Sequence, residues 1–461
     1  MHDIHLSIQS CVGVLAFCAL GCGSWRADPD GLTERDVALL QELVLTGRQP
    51  THPGNDLVAD PAVALLGQQL FFDNGLSPGA VDGTRGITPV NCATCHSPSE
   101  WFSDSRPDNN VSRGTGLTAR NSPALVNVAF YDTFGWDGRA DTLWGQCANA
   151  YEPGATMKGT PAFLLEAVRS RYADRYQAVF GQPLPAAGGG VAVDDFYRNI
   201  LKSWAAYLTR LTSADAPFDR FALGDRSALE GEQRRGLVLF LGKAGCIECH
   251  GGPMFSDNQY HSVGIGQSGR GVPETDLGRE KGLSVLKGLG DRRLRPDGAA
   301  LPAAPTPEDR GLFRTKGLRQ VAGTAPYFHA GQVATLKDVV RFYAQGGDHD
   351  GAGTVSPFLV PLHLTDDEQA DLVSFLRSLT GAEIPAELRC DNARPAPLPG
   401  AYLDGGVFVL PPDLSTTAIG AGDSICPFGG VLVTQDAGMQ LNLTRVCNAA
   451  TPVTRCDGAP P

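Results

Sequence analysis

Apolar residues recur at helical spacing in five stretches of the chain, each bounded by capping or breaking residues. Residues 60–72 (DPAVALLGQQLFF) form the first and lead into a Gly-rich loop. Residues 160–180 and 193–211 read as two amphipathic helices, with Pro161 suited to a first turn and Gly188-Gly189-Gly190 between them. Ala216-Pro217 and Gly224 mark a break, after which residues 230–241 start a new helix. Residues 365–379 form the last, with Thr365 as N-cap and Glu368 completing a capping box. Beyond Gly381 the pattern changes. Pro, Gly, Val and Thr dominate, and residues 407–410 and 430–434 have strand character.

Two of the helices run into the same motif. Residues 60–72 precede Cys92-Ala93-Thr94-Cys95-His96, and residues 230–241 precede Cys246-Ile247-Glu248-Cys249-His250. In CxxCH two thiols reach two vinyl groups of one haem while the next residue ligates the iron. Zinc would want four ligands, and neither motif has a second cysteine pair nearby. A thioredoxin-type pair needs no following histidine. The chain is therefore expected to carry two covalently bound c haems. Its expected fold is mostly α, with two cytochrome c-type domains at 50–222 and 223–382 and a small β-rich extension at 383–461.

The 12 cysteines fit this division. Cys390, Cys426, Cys447 and Cys456 are expected to form two disulfides in the extension. Cys147 reads as a buried structural thiol. Residues 1–25 read as an export signal: 11–20 is apolar but too short to span a bilayer, and Gly21-Cys22-Gly23-Ser24 resembles a lipoprotein cleavage box. A periplasmic or exported location follows, with membrane contact only through a lipid on Cys22. At 461 residues and 42% hydrophobic content the chain can bury real cores. Its net charge of -12 argues against a nucleic-acid partner.

The sixth iron ligand separates electron transfer from chemistry. No histidine lies between His96 and His250, so the first haem is expected to be open to a small ligand. Met254 is too close to His250 to cross the second haem. That haem's candidate ligands are His261, His329, His349, His363 or a tyrosine.

Arg120-Asn121-Ser122-Pro123-Ala124-Leu125 with Gly135-Trp136-Asp137-Gly138-Arg139-Ala140 resembles the N-domain signature of the bacterial di-haem cytochrome c peroxidase and MauG family. Leu318-Arg319, Thr324-Ala325-Pro326-Tyr327-Phe328-His329 and Ala334-Thr335-Leu336 resemble its C-domain signature. The resemblance implies that Trp136 relays electrons between the haems. It implies calcium held by Asn121 and the carbonyls of Thr324 and Pro326, a hard oxygen-only site. It places Gln146 in the distal pocket, and Tyr343, as in MauG, at the position of the peroxidases' axial Met. The peroxidases' distal histidine falls near Thr115. The family's distal glutamate falls at Thr156, so Glu152 is the nearest carboxylate to move a peroxide proton.

The expected function is that of a MauG-like peroxidase. Hydrogen peroxide is reduced at the His96 haem, and oxidising equivalents are stored or relayed through Trp136 and the second haem toward an electron-donor protein or a protein substrate. The alternatives are a conventional peroxidase fed by a small cytochrome and a non-catalytic di-haem electron carrier.

Overall fold

Asp60 starts the first long helix of the N-terminal half: its carboxylate accepts from the backbone N–H groups of Ala62 and Val63, and Pro61 occupies the first turn. The computed structural model describes residues 31–390 except 49, 51–53, 83–85, 89, 107–109, 187–189 and 289–303, together with strand residues 402–404 and 407–409. The export segment with Cys22, Gly188-Gly189, the 430–434 strand, and Cys426, Cys447 and Cys456 lie outside the described residues.

The helices are α1 (Glu34–Leu43), α2 (Pro61–Phe72), α3 (Leu143–Tyr151), α4 (Pro161–Phe180), α5 (Val191–Leu208), α6 (Pro217–Ala222), α7 (Gly231–Leu241), α8 (Arg279–Gly288), α9 (Leu336–Ala344) and α10 (Asp366–Arg377). Three short antiparallel pairs accompany them: β1 (Ala80–Asp82) with β2 (Gly86–Thr88), β3 (Tyr260–His261) with β4 (Phe313–Arg314), and β5 (Tyr402–Asp404) with β6 (Val407–Val409). None of the described helices is long and apolar enough to cross a membrane.

The capping box of Thr365 and Glu368 opens α10 as expected, and β6 falls on the expected strand. The second amphipathic helix stops at Leu208, not at 211. Arg210 and Leu211 bond back to Tyr207 and Leu208, a tighter turn that ends the helix. The helices α1, α3, α6 and α8 were not apparent from spacing, and α6 occupies the stretch between Pro217 and Gly224 that reads as a break. α3 is nine residues with small side chains at most positions, too short to display a period.

The same construction occurs twice. α2 crosses α5 in the first half, and α7 crosses α10 in the second. Each crossing is set by a glycine. A Cβ at Gly67 would collide with the Ser203 carbonyl, and one at Gly236 with that of Asp371. The first core gathers Leu66, Leu70, Phe71, Leu164, Phe196 and Trp204. The second is built on edge-to-face contacts among Phe218, Phe240, Phe255 and Phe375. Both cores borrow from the far end of the chain. Leu40 and Leu43 of α1 join the second, whereas Ile384 joins the first. The return to the first core is fixed by Tyr207 donating to the Leu388 carbonyl (2.6 Å) and Gln68 to those of Glu387 and Cys390. Cys390, at this junction, is disulfide-bonded.

Candidate functional site

Each CxxCH motif begins as a single 3-10 turn, Cys92–Thr94 and Cys246–Glu248. Asn91 caps the first and donates to the Phe72 carbonyl (2.8 Å), tying the motif to the end of α2. The two histidines are held alike. Nδ1 of His96 lies 2.9 Å from the Phe102 carbonyl, and Nδ1 of His250 lies 2.9 Å from that of Phe255. Both phenylalanines are fully buried with positive φ, which turns their carbonyls toward the rings. Burial lowers the pKa of both imidazoles. A neutral ring whose Nδ1–H donates to a carbonyl leaves Nε2 free for a metal.

The surroundings fit two haems. Cys92, Cys95, Cys246 and Cys249 are outside any disulfide, ready to become thioethers. Buried polar atoms without partners include Gln146 Oε1, Trp144 Nε1, Tyr151 Oη and Trp204 Nε1 around the first motif's core, and Arg314 Nε near the second. Arg314 is buried and Lys316 half-buried, two basic side chains with no carboxylate in ion-pair contact among the described residues, which suits a group carrying propionates.

Around the second motif the candidate ligands separate. Tyr343, near the end of α9, lies close enough to Cys246 and Cys249 for their sulphurs to influence its phenol, whose pKa is pushed up chiefly by burial. His349 and His363 are exposed. His261 Nε2 pairs with Asp257 at 2.8 Å. His329 is buried and neutral, its pKa held down at about 3 by desolvation; it stacks on Phe313 (3.8 Å) and accepts from Gln267 Nε2 (2.7 Å). Met254 is buried beside Gly317 in the first core. Cys249, Asp257 and His261 could group around a metal ion, but Cys249 belongs to the haem motif.

Trp136 bridges the halves. Its Nε1–H donates to the Asn121 carbonyl (2.8 Å), and its own carbonyl accepts from the N–H of Arg314 on β4 (2.8 Å). Lys316 Nζ sits 4.9 Å from the centroid of its ring and 5.4 Å from that of Tyr131, which also carries Arg314 at 3.8 Å. Burial, and next the charge of Arg314, lower the Lys316 pKa. Its charge reaches His96, while its backbone interacts with His250. Spacing did not reveal this seam, although Arg314 and Lys316 alternate on one side of an extended segment.

Of the calcium candidates, Asn121 is tied to the segment that carries the other two. The N–H of Asn121 donates to the His329 carbonyl (2.9 Å), bringing it against the 324–329 turn. Its Nδ2 donates to the carbonyls of Asp104 and Asn110 (both 3.0 Å). That leaves Oδ1, like the carbonyls of Thr324 and Pro326, without a hydrogen bond among the described residues. Three free oxygens suit a hard cation.

Gln146 and Glu152 are not brought together. Gln146 Oε1 faces the Gly135 turn before Trp136, whereas Glu152 Oε1 accepts from Tyr197 on α5 (2.9 Å). Thr115 bonds the opposing loop through Gly154 and Thr156. Cys147 lies near Cys92, and burial pushes its thiol pKa up. Met157 packs its sulphur 3.9 Å from that of Cys92, a neighbour that sequence reading did not anticipate.

A buried ion network closes the interface. Arg120 is bidentate to Asp276 (2.6 and 2.7 Å) and pairs with Asp137 (2.8 Å), which also holds Arg139.

The family model for di-haem cytochrome c peroxidase matches residues 61–227. Cytochrome-c peroxidase IdrP1 of Pseudomonas sp. (strain SCT) is 35% identical over 330 residues, 69% of this chain and 80% of that one. Methylamine utilization protein MauG of Methylorubrum extorquens is 30% identical over 370 residues, 79% and 91% of the two chains. A solved MauG-like protein associated with microbial copper homeostasis superposes with a TM-score of 0.58 at 25% identity, covering 75% of this chain and 97% of that one. The chain belongs to the di-haem cytochrome c peroxidase and MauG family. It is a peroxidase-type oxidoreductase that carries two c haems.

Proposed function

We propose that the protein is a MauG-like peroxidase in which Tyr343 is the axial partner of His250. The observation that carries this reading is the place of Tyr343, half-buried on α9 beside the second motif's cysteines, while the competing histidines are exposed or engaged elsewhere. The two units are residues 50–222 and 223–382, the second borrowing α1 and α6 for its core. The haems supply peroxide reduction at the first iron and electron storage at the second. The protein's part is to hold each imidazole neutral and fixed, to exclude water with two aromatic cores, and to place Trp136 between the sites. Gln146 presents an unpaired amide oxygen to the first pocket. Glu152, with Tyr197 as its hydrogen-bond partner, takes the peroxide proton and returns it to the leaving oxygen. Export through residues 1–25, with Cys22 as lipid acceptor, would set the enzyme beside an electron-donor protein or a protein substrate.

Cyanide added to the oxidised protein is expected to bind one haem per chain, at His96, leaving the second low-spin electron paramagnetic resonance signal in place. Binding at neither haem would support the electron carrier instead. A second haem with the spectrum of His–Met ligation would support the conventional peroxidase.

Calcium held by Asn121 Oδ1 and the carbonyls of Thr324 and Pro326 would tie the turn that carries His329 to Asn121, whose carbonyl accepts the Trp136 Nε1–H. Chelation is expected to slow charge sharing between the haems, and added calcium to restore it. Asn121→Ala should reproduce the chelated state. Unchanged spectra and rates in both experiments would remove the site.

A further inference from the structure

Two arginines line a cavity that the haem chemistry leaves unused. It has a volume of about 380 Å³ and is formed by the chain after α1, the turn at Asn127–Phe130 and the end of α5. Leu45, Val58 and Phe130 give it apolar walls. Its buried polar lining is already satisfied. Asn127 donates Nδ2 to the Ser213 carbonyl and accepts the Ser213 N–H at Oδ1, both at 2.8 Å, and Thr209 donates its hydroxyl to the Ala206 carbonyl (2.7 Å). Arg48 and Arg210 differ. Arg48 donates Nε to the Val44 carbonyl (2.8 Å), and Arg210 reaches the Ala59 carbonyl with Nη2 at 3.5 Å. Both terminal nitrogens of Arg48 and Nη1 of Arg210 then have no hydrogen bond among the described residues. Arg210 Nε is buried and also without a partner. No Asp or Glu lines the cavity among the described residues, and neither guanidinium has an ion pair there. Arg48 is exposed and Arg210 half-buried, so one charge is reachable from solvent and the other is partly desolvated without a counter-ion.

We propose that this cavity binds a small organic carboxylate, an aromatic or short aliphatic acid whose carboxylate pairs with Arg48 and Arg210 and whose body lies on Leu45, Val58 and Phe130. Guanidinium forks match a carboxylate in shape as well as charge. The volume is at the small end of small-molecule sites, which suits a compact acid better than a nucleotide. An inorganic anion would leave the apolar walls unused. Occupancy would also tie two parts of the molecule together. Arg48 is held on Val44, which belongs to the second core, whereas Arg210 follows α5 of the first. A ligand shared between them adds a link between the halves, and the folded state gains stability in proportion to the ligand bound.

The test uses holoprotein with both haems confirmed by mass and cyanide present, so that no acid binds at iron. Benzoate and hexanoate are titrated by calorimetry into wild type, Arg48→Gln, Arg210→Gln and the double variant, with inorganic phosphate as the comparison anion. Arg210→Lys, which keeps the charge without the fork, replaces Arg210→Gln if that variant loses a haem. Both acids should bind wild type at one site per chain and raise its unfolding midpoint. Each single variant should weaken binding on the order of tenfold, the usual loss for a hydrogen bond to a charged group, and the double variant should abolish it. Phosphate should bind wild type at least on the order of tenfold more weakly than benzoate. Photolysis of bound 4-azidobenzoate should label peptides that carry Leu45, Val58 or Phe130. Phosphate binding as tight as that of the acids would overturn the organic class, because the apolar walls would then contribute nothing. No saturable binding to wild type, unchanged affinity in the double variant, or label confined to other peptides would remove the site.

Discussion

Tyr343→Met is expected to raise the reduction potential of the second haem by roughly 0.1–0.3 V, inside the span of about 0.8 V that axial ligands command. A phenolate is a hard anion that favours oxidised iron, whereas a thioether favours the reduced state. Tyr343 sits in a desolvated pocket near Cys246 and Cys249, and burial alone pushes its phenol pKa up. A phenolate at this position would therefore report bonding to iron, because nothing else around it pays for the buried charge. The neighbouring rings of Phe328 and Phe342 are apolar and offer the phenol no hydrogen bond. Tyr343→His should leave the haem six-coordinate but weaken or abolish the two-equivalent oxidised state that follows peroxide. Potentiometry with optical detection reads both variants. If both keep the wild-type potential and spectrum of the second haem, Tyr343 is not its ligand, and His261, with its Asp257 partner, becomes the next candidate.

The parts of this site visible in the sequence are those whose chemistry is local. CxxCH places two sulphurs and an imidazole within five residues, so the spacing is the geometry. Thr365 and Glu368, or Asp60 and Pro61, mark helix starts because the cap and the N–H groups it satisfies are three residues apart or fewer. The carbonyls that orient the histidines are also local, but they depend on positive φ at Phe102 and Phe255, a conformation that phenylalanine rarely signals. The seam was hidden for a different reason. Lys316 has meaning only because Trp136 and Tyr131 lie under it, and those contacts cross from one half to the other. The surroundings of Glu152 are likewise long-range, because its partner Tyr197 comes from another helix. The second core's use of α1 and Phe218 is again long-range, and no period along the chain encodes it.

Asp219→Ala is expected to destabilise the C-terminal half by about 3–5 kcal/mol, the usual consequence of removing one partner from a buried ion pair. Asp219 and Arg319 are both 0% exposed at their side chains, and the pair is bidentate at 2.8 and 2.9 Å. The carboxylate also accepts from the N–H of Leu45 (3.1 Å) and of Ala216 (3.0 Å), so its loss would strand two further buried donors. Arg319 in turn donates to the carbonyls of Leu43 (2.9 Å) and Pro253 (2.6 Å). One residue thus ties the end of α1, the start of α6 and the loop after His250 to the Leu318-Arg319 signature. The Pro253 contact matters most for function. It lies two residues before Phe255, whose carbonyl holds His250 Nδ1, and the Arg319 guanidinium covers that ring at 5.5 Å. Weakening the clamp should therefore disturb the second haem before the first. Asp219→Asn keeps the shape but not the charge, and should cost less than the alanine variant. Chemical denaturation followed separately in the two haem bands measures the effect. A loss below about 1 kcal/mol, or equal broadening of both haem spectra, would show that this pair does not anchor the His250 loop.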